Sequence, residues 1–143
     1  FDFTDPATGG ALARLLYDMG ADTVFPVAGR AGFGAIEEAA LLVAEGDEAR
    51  VIGVDTDWSE QFGDPDRVIL TSVLKDLAPP VFNQAEALVA GTWAGGLVEE
   101  GLEEGSVGIA KFHKLNRDVP GFLKHDLKDL RAGIIDGSIP TTP

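Results

Sequence analysis

The sequence predicts an α/β fold, a mostly parallel sheet with helices on both faces. Three observations predict it. Short apolar runs recur along the chain and alternate with segments whose apolar residues follow helical spacing, the pattern of successive βαβ units. Glycines and prolines punctuate the boundaries between them. The length of 143 residues and the 45% apolar content suit a single domain with a buried core.

Asp5-Pro6 reads as a helix N-cap followed by proline at the first helical position, where its missing N–H costs nothing. Leu12, Leu15, Leu16 and Met19 then recur at helical spacing, and Gly20 supplies a left-handed stop. The apolar run Thr23 to Ala28 reads as a buried strand. Ile36, Ala40 and Val43 mark the stripe of a second helix ending near Gly46, and Val51 to Val54 a second strand closing on Asp55. Thr56 to Asp66 is polar, carries glycine and proline, and reads as a surface loop. Val68 to Ser72 is the third strand. Pro79-Pro80 opens a long helix with Phe82, Ala85, Leu88 and Val89 on its inner face. Val107 to Ala110 forms a short fourth strand. A last helix after Asp118 and Pro120 places Leu123, Leu127, Leu130 and Ile134 inward and stops at Gly137, before a tail from Pro140 to Pro143.

Charge and composition exclude several functions. A formal net charge of -13 with no basic patch argues against a nucleic-acid polymer as partner. A small neutral ligand meets no such objection. The absence of cysteine removes disulfides, thiolate zinc sites and thiol nucleophiles. No apolar run reaches the length of a membrane span. The two histidines, His113 and His125, lack a nearby nucleophile motif such as Gly-x-Ser-x-Gly, and His125 reads as a surface residue. We therefore expect no enzyme, no cofactor and no resident metal.

In a parallel α/β sheet, ligands bind beyond the carboxyl ends of the strands, which singles out three places. The stretch Ala28-Gly29-Arg30-Ala31-Gly32-Phe33-Gly34 lies between a strand and a helix, where glycines let the backbone approach a ligand; tight packing is the competing reading. Asp55, at the end of the second strand, is placed to accept hydrogens from ribose hydroxyls. A metal-binding Asp55-x-Asp57 pair lacks a third ligand of suitable spacing, and a helix cap is the alternative that suits Asp57 better. Lys75 leaves the third strand and either donates to the same ribose or is a solvated surface lysine. Among the aromatics Phe1, Phe3, Phe25, Phe33, Trp58 and Phe62, Phe25 reads as core. Phe3 sits where a ring can stack on a flat base, a position a hydrophobic staple would also take.

In order, Phe3-Thr4-Asp5-Pro6, Gly20-Ala21-Asp22-Thr23-Val24-Phe25, the stretch Ala28 to Gly34, Val51-Ile52-Gly53-Val54-Asp55-Thr56-Asp57, Ile69-Leu70-Thr71-Ser72-Val73-Leu74-Lys75 and Ser106-Val107-Gly108-Ile109-Ala110 resemble the basic membrane protein family. These are purine-nucleoside-binding lipoproteins that serve ABC transporters. The resemblance implies a two-lobed, type I periplasmic-binding-protein-like fold that clamps its ligand between the lobes. It further implies that a ring at Phe3 stacks on the base, that Asp55 and Lys75 hold the ribose, and that the Gly29 turn lines the cleft. Residues 1-105 then correspond to the second lobe, and 106-143 to a segment returning to the first. Because the chain starts at Phe1 without methionine or signal peptide, it is expected to be a fragment that lacks the first lobe and its lipid anchor. The implied partners are a nucleoside and an ABC permease, at an extracytoplasmic location. The chain departs from the family pattern at Arg30, where a second glycine is usual, and at Trp58, where glutamine is common. The loop from Ser59 to Asp66 is also long. These departures leave room for a ligand other than a standard purine nucleoside.

Two other functions fit parts of the pattern. A dinucleotide-binding domain of an oxidoreductase also has strand, glycine turn, helix, strand and acid, but Gly29-x-x-Gly32-x-Gly34 is not its G-x-G-x-x-G spacing. A ligand-sensing domain of a signalling protein would share the fold. Self-association is expected of the segment from Ser106, whose strand edge and apolar stripe would otherwise stay uncovered.

Overall fold

The computed structural model describes residues 3–64 and 67–141. Phe1, two residues of the expected loop (Pro65 and Asp66) and the last two of the tail lie outside them. Two compact units are present, one of Phe1–Val73 with Ile109–Asp118 and the other of Leu74–Gly108 with Val119–Pro143. The strands β1 (Thr23–Val24), β2 (Arg50–Asp55), β3 (Ile69–Lys75) and β4 (Val107–Ile109) follow in that order across one sheet. β1 and β2 are parallel, with Thr23 opposite Arg50 and Val24 opposite Val51. Ala110 N–H donates to the Ser72 carbonyl and Asp76 N–H to that of Ser106, a pairing in opposite senses that makes β4 antiparallel. The sheet is therefore mixed but mostly parallel, as the α/β alternation requires.

The expected strand from Thr23 to Ala28 stops after two residues. Pro26 has no N–H to give to a ladder, and two successive tight turns follow, from Val27 N–H to the Phe25 carbonyl and from Ala28 N–H to that of Pro26. Phe25, read as core, is consequently exposed.

In the first unit, α1 (Pro6–Asp18) is capped as expected by Asp5, whose carboxylate accepts from Ala7 and Thr8 N–H. Its buried face is not the leucine stripe, however, but Gly10, Ala13 and Tyr17; Leu12, Leu15, Leu16 and Met19 are exposed. The cause is close backbone approach. A Cβ at Gly9 would strike the Ala31 carbonyl, and one at Gly34 the Pro6 carbonyl, so only glycine permits this contact. The small face thus packs against the Gly29–Phe33 3-10 turn and α2 (Gly34–Glu45). α2 buries Ala35, Ile36, Ala39 and Leu42, with Ala40 and Val43 half-buried beside them. It ends at the left-handed Gly46. Tyr17 O–H donates to the Arg50 carbonyl at 2.8 Å, joining α1 to the start of β2.

The segment read as a loop contains a helix, α3 (Trp58–Phe62), with Trp58 fully buried. Its polar residues misled because they are structural: Asp57 caps the helix, and buried Asp64 accepts from Ile69 N–H at 2.8 Å.

In the second unit, α4 (Ala78–Ala90) buries no residue, and Phe82, Leu88 and Val89 are exposed rather than inward. α5 (Gly121–Ile135) buries only Gly133; Leu123 and Leu130 are exposed, Leu127 and Ile134 half-buried. An apolar helical face needs a second layer to cover it, and among the described residues much of these two faces stays exposed. No helix among the described residues is long and apolar enough to cross a membrane.

Candidate functional site

The sequence places Phe3 and Gly29 apart, yet the fold brings them together. Ala31 N–H donates to the Phe3 carbonyl at 3.0 Å, and a Cβ at Gly29 would lie 3.2 Å from that same oxygen. Gly29 has φ +56°, a left-handed conformation that glycine takes without steric cost. Phe3 is 64% exposed.

Asp55 ends β2 and is exposed. It has φ +67° at the centre of a three-residue turn closed by Thr56 N–H on the Val54 carbonyl. Such backbone is costly for a residue with a Cβ and clusters at functional sites. β1 and β2 are parallel neighbours, so the segment leading to the Gly29 turn and the Asp55 turn each follow the carboxyl end of a strand. Arg30 is exposed on that turn. Lys75 is the last residue of β3, exposed, and belongs to the second unit.

An aromatic cluster unread from the sequence joins the glycine turn to α3 within the first unit. The ring of Phe33, at the end of the glycine turn, lies 5.3 Å from that of Trp58 and 4.8 Å from that of Phe62, both on α3. Trp58 and Phe62 meet edge to face at 6.0 Å, and Trp58 is held by its Nε1–H on the Val54 carbonyl at 2.9 Å. The signal available in the sequence was an i,i+4 aromatic pair just after an aspartate suited to capping.

A polar group stands beside it. Asp57 Oδ1 accepts from Ser59 and Glu60 N–H, the cap that the sequence suggested for it. Its Oδ2 lies 2.7 Å from His113 Nε2, on the 3-10 turn His113–Leu115. One ligand-type atom each from Asp57, Glu60 and His113 fall within 4.8 Å of one another. Asp55 is not in the group; the missing partners of Asp57 were a neighbour one helical turn on and a histidine far along the chain. His125 is exposed, with Asp129 beside it at 3.4 Å.

A family model described as ABC transporter substrate-binding protein, PnrA-like, matches residues 2–134. "Basic membrane protein B" of Borrelia garinii is 35% identical over 115 residues, covering 78% of this chain and 32% of that protein. "ABC transporter nucleoside-binding protein BmpA" of Lactococcus lactis is 29% identical over 147 residues, covering 96% of this chain and 40% of that protein. The chain thus spans between a third and two-fifths of the curated relatives it matches. In fold, it superposes with TM-score 0.82 and 24% identity on an ABC transporter solute-binding protein of Aeropyrum pernix, covering 99% of this chain and 46% of that one. The family model covers nearly the whole chain, and the fold agrees with it: the chain belongs to the PnrA-like family of ABC transporter substrate-binding proteins.

Proposed function

We propose that this chain is the ligand-binding part of an extracytoplasmic, lipid-anchored receptor that captures a nucleoside and delivers it to an ABC permease. In the whole protein, the ligand sits between two lobes. Residues 1-105 form most of one lobe, and 106-143 return to the other. The Phe3 ring takes one face of the base, the Gly29 turn lines the cleft, and Asp55 and Lys75 hold the ribose hydroxyls. The role is binding and release, without chemistry on the ligand.

The observation that supports this reading best is the contact between Phe3 and Gly29 on the segment after β1, whose parallel neighbour β2 ends in Asp55. An exposed ring and a left-handed glycine turn offer stacking area and a close backbone, and a strained carboxylate at the end of β2 offers an acceptor. A nucleoside presents a matching flat base and a pair of vicinal hydroxyls. The name of the Lactococcus lactis relative points to the same ligand class.

The test is a thermal-shift panel of nucleosides, free bases and ribose on the whole protein. Nucleosides should stabilise it more than either component alone. A shift given by amino acids or sugars, and by no nucleoside, would remove the assignment.

A further inference from the structure

We propose that Asp57, Glu60 and His113 form a binding site for a divalent transition-metal ion of the zinc type. The three side chains come from two segments that only the fold brings together, with Asp57 and Glu60 three residues apart on the first turn of α3 and His113 on the turn after β4. Their ligand atoms lie within 4.8 Å of one another, and the set offers one imidazole nitrogen and two carboxylate oxygens. That mixture suits zinc, which takes three protein ligands and a water in open sites. Calcium and magnesium ask for six or more oxygens and do not favour imidazole.

The site is also held in place. Asp57 Oδ1 is fixed by the Ser59 and Glu60 N–H groups, which leaves Oδ2 to face His113. Lys114 Nζ donates to the Gly63 and Asp64 carbonyls at 3.0 and 2.8 Å, so the histidine turn is tied to the far end of α3 as well. His113 itself has φ +36°, unfavourable for a residue with a Cβ.

A metal at Nε2 takes the lone pair of that nitrogen, so a proton held there moves to Nδ1 or to solvent as the ion binds. With metal–ligand bonds of about 2.0–2.2 Å in a tetrahedral shell, ligand atoms sit roughly 3.3 Å apart. The present 2.7 Å contact must therefore open by roughly 0.6 Å. Glu60 is exposed, and its ligand oxygen already lies within 4.8 Å of the other two ligand atoms.

The experiment is calorimetric titration of the metal-free chain with zinc chloride, followed by nitrogen-edited NMR of the histidine rings in the same protein. One equivalent should bind, with the Nε2 resonance of His113 shifted and the exposed His125 unchanged. His113→Ala and Glu60→Gln should each weaken binding by at least about tenfold, while His125→Ala leaves it intact. Equal concentrations of magnesium or calcium should not compete. If His113→Ala fails to fold, the NMR arm on the unaltered chain still decides. No stoichiometric binding, a shift confined to His125, or displacement by calcium would each overturn the proposal.

Discussion

Gly53 lies directly against the indole of Trp58: a Cβ at this position would collide with the ring and with the hydroxyl of Ser72. Ser72 Oγ in turn accepts from Trp58 N–H at 3.1 Å, so strand β2, strand β3 and helix α3 are locked around one tryptophan. Gly53→Ala should therefore destabilise the chain by roughly 1–3 kcal/mol, the usual cost of overpacking a filled core. Urea unfolding should show the loss as a lower midpoint with an unchanged slope. A neutral or stabilising result would mean that Trp58 is free to move.

Trp58→Ala should cost more, about 3–5 kcal/mol, because removing a fully buried ring leaves a cavity among Phe33, Phe62 and the glycine turn. The same denaturation measurement checks it. A loss below about 1 kcal/mol would contradict the packing described.

Tyr17 is the only tyrosine, which makes its ionisation directly observable by phenolate absorbance. Burial, reinforced by the nearby Glu38 carboxylate, pushes its pKa from 10.0 up to about 12, against a smaller opposing effect of Arg50. The folded state thus holds the proton more tightly than the unfolded one. Its contribution is fully present below pH 10 and should be lost progressively as pH rises toward 12. Tyr17→Phe should remove this alkaline dependence and, by deleting the bond to the Arg50 carbonyl, lower stability at neutral pH by about 1 kcal/mol.

Asp55→Ala in the whole receptor should weaken nucleoside binding by about 10- to 100-fold, the loss of a charge-assisted hydrogen bond to a ribose hydroxyl. Binding of the free base should change little. Calorimetry that finds equal losses for nucleoside and base would remove Asp55 from the ribose site.

The 143-residue chain alone should bind nucleosides weakly or not at all. Two-lobed receptors gain affinity by enclosing their ligand, and one lobe leaves a face of the base in water. Micromolar or tighter binding by this chain would show that its own residues complete the site.

Much of the architecture was legible in local chemistry. The Asp5 cap with Pro6, the left-handed stops at Gly20, Gly46 and Gly137, and the α/β alternation depend on neighbours within a few residues, so sequence spacing is enough to read them. So was the parallel pairing of β1 with β2, which follows from that alternation. Which face of a helix is buried was not local. Spacing marked the leucines of α1, but backbone contact through Gly9 and Gly34 turned Ala13 and Tyr17 inward instead. The polar stretch after Asp55 likewise concealed a buried tryptophan, because its aspartates satisfy backbone donors rather than water. The meeting of His113 with Asp57 joins residues 56 positions apart, which no pattern along the chain encodes. Periodicity determined the elements; close packing between distant segments decided their faces and assembled the polar group.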